Sequence, residues 1–495
     1  MNPWSALGRM GSGRVAVDSS SGLTPRLQPG SLAPRTARER LVARLEARGA
    51  YPTWVLVAAL AGVFATSFPI TILTISLTSI AKEFGVRETT IAWVISAPVL
   101  LSAIVLPLLG KLGDLHGHRR VFLAGFAAAS VAALATACAW DATSLIGLRI
   151  VAAIVGAATQ PTSMAIIFSV YAPQHRVRAM GWWAMMGAAA PAAGLVAGGP
   201  LVDLFGWRIV FLLQAAFSLV ALALASVILR ETPRHRARFD VAGATALAFG
   251  VAGLMFALGR SRDVGLGAME IWAALATGVT GLIAFVWVER RVVAPLLPLE
   301  YFRRRNFTAA LVAGSFMGAA YMGAFVIAPI VLLQIFHYSI TTTAGIMLTR
   351  TLTLTVSSPL GGRLGTQIGE RVTASLGSAI VTVSLLVVAY GTVTLSLAVL
   401  CVGLVLQGFG NGIAVPPITS AVASVVPIHD LGIAAAANRL TAQVGVAFGI
   451  TTLTMVYGGI NTGTALALAF VVGAFLALGA LISSICMGES VAQGT

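Results

Sequence analysis

The sequence predicts an all-α, polytopic membrane protein built from two similar halves. Hydrophobic residues make up 58% of the 495 positions and charged residues only 10%, and the mean hydropathy is +0.91. An ordinary soluble domain carries about 25% charged residues. The stretch GKLGDLHGHRR, which begins at residue 110, has a counterpart 252 positions later, GRLGTQIGERV. Because both copies lie between long apolar runs, they indicate that a set of membrane helices has been duplicated.

The apolar runs predict fourteen membrane-spanning helices. A helix needs about 20 apolar residues to cross a hydrocarbon core of roughly 30 Å, since each residue advances about 1.5 Å. The segments that meet this length are 53–80, 91–110, 121–139, 143–168, 179–203, 208–229, 240–259, 268–288, 307–336, 342–362, 373–391, 393–418, 431–457 and 462–485.

The distribution of Lys and Arg predicts the orientation. With both termini on the cytoplasmic side, the tail and cytoplasmic loops hold 24 of the 32 basic residues, and the outer loops hold five. Basic loops resist translocation and stay inside. The net charge of +15 therefore reports topology and attraction to anionic membrane lipids, and no nucleic-acid partner is expected. We expect a multi-pass protein of the cell (plasma) membrane.

The same patterns divide the chain. Residues 1–50 are rich in Ser, Gly, Pro and Arg, which predicts a disordered basic cytoplasmic tail, and a short basic amphipathic helix at the membrane surface is an alternative for its last part. Residues 51–229 form the first six-helix bundle and 307–486 the second. Residues 230–306 link them through two extra helices, and 487–495 are a short tail.

The repeated motif resembles the signature loop of the major facilitator superfamily. In the first copy Gly110, Asp114, Gly117, Arg119 and Arg120 stand at signature or flanking basic positions, whereas Leu115 and His118 replace the usual arginines. Close helix packing through glycine and an acid beside a helix end suggest a breakable latch between the halves. The second copy supplies Gly362, Gly369 and Arg371, but Thr366 replaces the acid.

Other segments resemble the fourteen-helix drug:proton antiporter branch of that superfamily. In the fourth span Arg149 matches the family arginine, and in the fifth the glycines follow the exporters' antiporter motif. These glycines are Gly181, Gly194, Gly198 and Gly199. The resemblance implies the major facilitator fold, two pseudo-symmetric six-helix bundles plus two central helices, and alternating access to a site near the midplane.

The ionisable residues inside the predicted spans are unusual. Where that branch carries a coupling aspartate in its first helix, this chain has Pro69, and we find no acid well inside any span. Arg149, Arg350 and Arg439 do lie inside spans, where a charge is costly unless it is paired or hydrated. Without acids to pair with, they predict a positive cavity for an anionic or zwitterionic amphiphile. Backbone carbonyls or snorkelling to an interface would equally explain them.

The polar residues expected to face that cavity together with the three arginines come from both halves. They are Thr71, Thr74, Gln160, Gln334, Gln407, Asn411, Asn438 and Gln443. Hydrogen bonds between helices explain each of them as well.

Two functions remain open at this stage. The family pattern favours secondary active export of drugs or hydrophobic small molecules, driven by protons, whereas Pro69 and the arginines favour a lipid or anionic amphiphile transporter without conventional proton coupling. A membrane enzyme is disfavoured because the long loops lack paired catalytic groups. The three cysteines show no CxxC spacing, so neither a metal nor another cofactor is expected.

Overall fold

The computed structural model of the protein is a bundle of long helices. It describes residues 37–91, 93–232, 239–265, 267–292, 295–427, 430–458 and 463–488, and within these residues every regular element is helical. The α-helices are α1 (Ala37–Ala47), α2 (Tyr51–Phe84), α3 (Glu88–Ile91), α4 (Trp93–His116), α5 (His118–Ala137), α6 (Ala142–Gly156), α7 (Thr159–Val170), α8 (Pro173–Phe205), α9 (Arg208–Ile228), α10 (Val241–Val264), α11 (Met269–Glu289), α12 (Arg305–Gln334), α13 (Ile340–Gln367), α14 (Glu370–Val393), α15 (Leu397–Ser424), α16 (Leu431–Tyr457) and α17 (Gly463–Ile485), and a 3-10 turn covers Leu299–Arg303.

The helices confirm the prediction of an all-α, multi-pass membrane protein. Thirteen segments among the described residues are long and apolar enough to cross a bilayer, with α6 and α7 counted as one. The remaining predicted span, 342–362, corresponds to α13, which has 28 residues and is long enough. The hydropathy of α13 is lower because it carries Arg350 and eight threonines.

The fourth predicted span is not one continuous helix. It is divided into α6 and α7 by a turn at 157–158. Pro161 lies in the first turn of α7 and has no N–H, so it cannot donate to the carbonyl four residues before it. The hydroxyls of Thr159 and Thr162 donate to the neighbouring carbonyls of Gly156 (2.7 Å) and Ala158 (2.5 Å). These side-chain bonds satisfy backbone carbonyls on either side of Ala157.

Helices pack mainly within two sets. In the first, α2 lies against α7, α8 and α9, and α5 lies against α6, α7 and α9. In the second, α12 lies against α15, α16 and α17, and α14 lies against α15 and α17. The division of the chain at 51–229, 230–306 and 307–486 stays a prediction, and this packing is consistent with it.

The two extra helices, α10 and α11, form a hairpin of their own. Their backbones approach closely through glycine: a Cβ on Gly253 would stand 2.5 Å from the carbonyl oxygen of Ala274. α10 also contacts α4 of the first set and α16 of the second. The outer face of α11 is apolar and exposed, for example at Ile283 (64%), as expected for a helix that faces lipid.

Part of the segment predicted as a disordered tail is ordered. Residues 37–47 form α1, and residues 1–36 lie outside the described residues. The guanidinium of Arg38 donates to the carbonyls of Val227 (3.2 Å) and Leu229 at the end of α9, and Val42 is buried. These contacts hold the basic helix against the bundle, because α9 ends with carbonyls that have no partner within the helix.

Candidate functional site

The end of the bundle where α4 ends and α5 begins holds a contact between the two sets of helices. We call it the basic end, and the other the opposite end. The carboxylate of Asp114 accepts hydrogen bonds from the backbone N–H groups of Gly432 and Ile433, both at 2.9 Å. Nε2 of His118 lies 3.1 Å from the same carboxylate. Asp114 is 1% exposed, so it caps the N-terminus of α16 in a buried, charge-assisted contact.

The glycines of the first motif copy permit this contact. A Cβ on Gly110 would stand 2.6 Å from both the carbonyl oxygen of Gly432 and the Cβ of Ala436, so α4 and α16 touch through their backbones. Gly117 has a φ of +96°, a conformation that favours glycine, and it lets the chain turn directly from α4 into α5.

The arginines of the motif stay within the first set. The guanidinium of Arg119 donates to the carbonyl of Ser226 (2.9 Å), and its backbone N–H donates to Glu231 (3.1 Å). Nε of Arg120 lies 3.6 Å from the same Glu231 carboxylate. These contacts tie the start of α5 to the chain that follows α9.

The second copy meets the first set at a glycine. A Cβ on Gly362 would stand 2.9 Å from the carbonyl oxygen of Val177 on α8. Thr366, which replaces the acid, bonds the carbonyl of Arg363 in its own helix (2.6 Å). Gly369 has a φ of +87° and permits the turn into α14, where Arg371 is partly exposed.

The glycines of the fifth span have different neighbours. A Cβ on Gly181 would stand 2.7 Å from the carbonyl oxygen of Ser358 on α13, so α8 and α13 also touch through their backbones. A Cβ on Gly198 would meet Ile72 of α2 at 3.0 Å. Gly194 is buried on α8, and the surroundings of Gly199 lie outside the described part of the structure.

Replacing Gly181 by alanine should disfavour closure at the basic end, because the new methyl group collides with a backbone oxygen that cannot move independently. The control is Gly187→Ala on the same helix, where nothing lies within 4 Å of the added Cβ. We expect alkylation of a cysteine placed at the end of α8 facing α13 to be faster in the Gly181 variant and unchanged in the control. Equal rates in both variants would contradict this contact.

Two further basic residues reinforce the closed basic end. Arg176 of α8 donates to the carbonyl of Ala423 on α15 at 3.2 Å. Lys111 of α4 lies 4.0 Å from Asp430, directly before α16, and donates to the carbonyl of Pro295 (3.1 Å). Asp430 also accepts a 2.5 Å hydrogen bond from Tyr301, and burial together with this bond raises the pKa of the tyrosine.

A cavity of about 180 Å³ lies between the two sets, deeper in the bundle than these contacts. Apolar side chains form most of its wall, with a few polar groups. The polar residues and arginines that line it are Thr66, Ser102, Arg149, Thr159, Gln160, Gln214, Arg439 and Gln443. Within the described part of the chain, no acidic residue belongs to this lining. The structure therefore brings four of the predicted cavity residues together: Arg149, Gln160, Arg439 and Gln443.

The two lining arginines come from opposite sets. Arg149 belongs to α6, with its guanidinium carbon 5.5 Å from the ring centre of Phe211, and Arg439 belongs to α16, 5.8 Å from that of Trp183. Nε of each is buried and has no hydrogen-bond partner in the described chain. An aromatic face stabilises a cation but does not neutralise it. The cavity is therefore positive, and an anion would find donors in both halves.

Arg350 does not line this cavity. It is fully buried, donates to the carbonyl of Tyr321 (2.6 Å), and its guanidinium carbon lies 3.6 Å from the ring centre of Tyr321 and 4.8 Å from that of Phe325. Contacts with a backbone carbonyl and aromatic rings were the structural alternative for this residue. They place Arg350 between α12 and α13 rather than at the cavity wall.

Several other predicted residues are also absent from the lining. Gln334 is exposed and accepts a hydrogen bond from Tyr457 (3.0 Å). Gln407, Asn411 and Asn438 are buried within the second set. The side chains of Thr71 and Thr74 lie outside the described residues. Gln214, which the sequence analysis did not single out, does line the cavity, because α9 turns this polar position inward, away from lipid.

The chain is similar to known transporters in sequence. The profile of the Major Facilitator Superfamily matches residues 59–450 and 312–488. Multidrug resistance protein Stp of Mycobacterium tuberculosis is 27% identical over 400 residues, which cover 80% of this chain and 74% of Stp. The tetracenomycin C resistance and export protein of Streptomyces glaucescens is 27% identical over 409 residues, covering 81% and 75% of the two chains.

Solved structures show the same fold. The human organic anion transporter MFSD10 (TETRAN) aligns with a TM-score of 0.62 at 19% identity, covering 88% of this chain and 98% of that one. A bacterial homologue of the iron transporter ferroportin in an outward-facing state aligns with a TM-score of 0.63 at 14% identity, with the same coverage.

Proposed function

The chain belongs to the Major Facilitator Superfamily and is a secondary transporter, and from this premise we propose that it exports amphiphilic small molecules across the cell membrane. The relatives that it resembles are named for multidrug resistance and for tetracenomycin C export. Proton motive force is the energy source that the family pattern implies. Transport rather than catalysis is proposed because the cavity residues offer binding groups without an acid or a base.

We place the basic end in the cytoplasm. Most Lys and Arg residues outside the spans belong to the loops and the tail at this end, and basic loops are retained inside. The contacts of Asp114, Gly110 and Gly181 then close the cytoplasmic side. The state described is therefore closed to the cytoplasm, and export needs the reverse movement, in which these contacts part.

The observation that carries the proposal is the pair of arginines in one cavity between the halves. Arg149 and Arg439 can bind one anionic or zwitterionic group from two sides, and the mainly apolar wall suits the rest of an amphiphile. Such a ligand would also neutralise the positive charges of Arg149 and Arg439, which repel each other across the cavity. A lipid is the second candidate. It is favoured because Pro69 stands where the drug:proton antiporter branch carries its coupling aspartate.

Export assays with matched dyes test this proposal. The purified protein in proteoliposomes should transport a carboxylate-bearing amphiphilic dye at least about tenfold faster than its neutral ester, since one charged hydrogen bond contributes about 1.5–3 kcal/mol. Equal transport of the acid, the ester and a cation such as ethidium would contradict the anion site. Failure to transport any of them under an imposed pH gradient would contradict drug export. Transport of a fluorescent anionic lipid alone would select the second candidate.

A further inference from the structure

Asp240 and Glu289 are buried acids at the basic end that have no part in the site described above. Asp240 caps the start of α10, and Glu289 is the last residue of α11; they are 7% and 5% exposed. A Cβ on Gly243 would collide with Oδ2 of Asp240 and stand 3.1 Å from Oε1 of Glu289, so the two carboxyl groups are neighbours beside this glycine. We call them the acid pair.

Each acid has one satisfied oxygen and one that is not. Oδ1 of Asp240 accepts from the N–H of Gly243 (2.8 Å), and Oε1 of Glu289 accepts from those of Leu296 (3.0 Å) and Leu297 (3.3 Å). Oδ2 of Asp240 and Oε2 of Glu289 are buried, and neither has a hydrogen-bond partner in the described part of the chain. Buried polar oxygens are rarely left unpaired, because each costs the free energy of its lost hydration.

A single proton satisfies both oxygens. If both acids were ionised, two adjacent negative charges would repel each other in a poorly hydrated place. One carboxylic acid beside one carboxylate removes the repulsion, and its O–H donates to the partner's vacant oxygen. The hydrogen bonds from Gly243, Leu296 and Leu297 remain as they are.

The charged groups around the acid pair connect it to the contact between the halves. Lys111 approaches from α4, where it lies 4.0 Å from Asp430 and donates to the carbonyl of Pro295. Its positive charge also acts on Glu289 of the acid pair. Tyr301 faces Asp430 and donates to it. Arg290 and Arg291 directly follow the last residue of α11, Glu289, and are exposed.

Opening of the basic end must change this arrangement. α16 has to leave α4, which separates Asp430 from Lys111, and the lysine then has the acid pair as its remaining buried counter-charge. A cation without another partner favours the ionised form of a neighbouring acid. The proton would leave the acid pair for water on the basic side, and the lysine would face two carboxylates.

We propose that Asp240 and Glu289 form a proton-binding site that is occupied while the basic end is closed and is emptied when it opens. The proposal rests on the alternating-access function proposed above. Its thermodynamic consequence has a definite sign: the closed state binds the proton more tightly, so lowering the cytoplasmic pH stabilises closure. One linked proton changes the ratio of open to closed protein by up to about tenfold per pH unit.

Infrared spectroscopy of the full-length protein tests the shared proton without any transport. Wild type should show a carbonyl stretch from a buried carboxylic acid, and both Glu289→Gln and Asp240→Asn should lose it. Glutamine and asparagine keep an acceptor oxygen and supply an N–H to the partner, so both variants should fold. Glu270→Gln, at the exposed start of the same helix, is the control and should keep the band. A wild-type spectrum identical to that of Glu289→Gln would overturn the proposal.

Pulsed electron paramagnetic resonance tests the linkage to opening. Spin labels on Gln174→Cys of α8 and Gln367→Cys of α13, with the three native cysteines replaced by serine, report the distance between the halves at the basic end. The open fraction should fall as pH falls. The slope of the logarithm of the open-to-closed ratio against pH gives the number of linked protons, which should be one lower in Glu289→Gln and unchanged in Glu270→Gln. Equal slopes in wild type and Glu289→Gln would contradict the linkage.

The two proposals can fail separately. If the band and the pH-dependent distances are present but no dye is exported, the exporter proposal fails and the acid pair remains. If dyes are exported but the band is missing, the acid pair fails alone.

Discussion

Replacing Arg149 by alanine should abolish transport of an anionic amphiphile and leave folding largely intact. A bidentate contact between a guanidinium and a carboxylate consists of two charged hydrogen bonds. Losing both costs about 3–6 kcal/mol, which is roughly a hundred- to ten-thousandfold in affinity. Among the described residues, the contact that Arg149 would lose is its approach to Phe211, worth about 1–2 kcal/mol. The expected result is loss of export at unchanged expression, with a melting temperature only slightly lower.

Two further variants separate charge from geometry. Arg149→Lys keeps the positive charge without the planar fork, so transport should fall to an intermediate level. Arg208→Ala is the control, because Arg208 pairs with Glu83 at the opposite end and is partly exposed. Transport assays and thermal unfolding of the three variants check the prediction. Parallel loss of transport and stability in Arg149→Ala would show that this arginine is structural.

Replacing Asp114 by alanine should shift the protein strongly toward opening at the basic end. The variant loses two charge-assisted hydrogen bonds to the N-terminus of α16 and leaves His118 without its partner. Each such bond contributes about 1.5–3 kcal/mol, so the open state should gain at least about a hundredfold in relative population. Export should slow, because each cycle must pass through the closed state.

The matched control for Asp114 is Asp141, which caps α6 at the opposite end. Its carboxylate accepts a 2.6 Å hydrogen bond from the N–H of Ser144 in its own helix. Asp141→Ala should cost about 1 kcal/mol of stability, as for other N-caps, and should not change the open fraction. The same spin labels on α8 and α13 measure both variants. An unchanged distance distribution in Asp114→Ala would refute the latch.

The sequence was informative about the membrane protein as a whole. Fold class and the number of long helices follow from hydrophobic run lengths, which are local properties of the chain. The repeated motif follows from the similarity of two short stretches. Arg149 and Arg439 were recognised in the same way, since a charge in an apolar run is exceptional wherever the helix lies. The break between α6 and α7 was missed, because threonine hydroxyls and Pro161 leave the hydropathy of the run unchanged.

Arg350 shows where this reasoning ends. By composition it is equivalent to Arg149 and Arg439, yet it turns toward Tyr321 between two helices of the second set. The rotation of each helix about its own axis decides which residues meet a cavity. That rotation is set by the fit of neighbouring helices.

By itself the sequence determined that a duplicated helical chain spans a membrane, carries few acids within its spans and holds rare intramembrane arginines. Only the tertiary structure decided which residues lie together: Asp114 with Gly432, 318 residues away, Arg149 with Arg439, and Asp240 with Glu289. The physical reason is that the length of an apolar segment decides whether it spans the membrane, and this length depends on composition along the chain. Pairing of charges depends on backbones brought together by close packing at glycines.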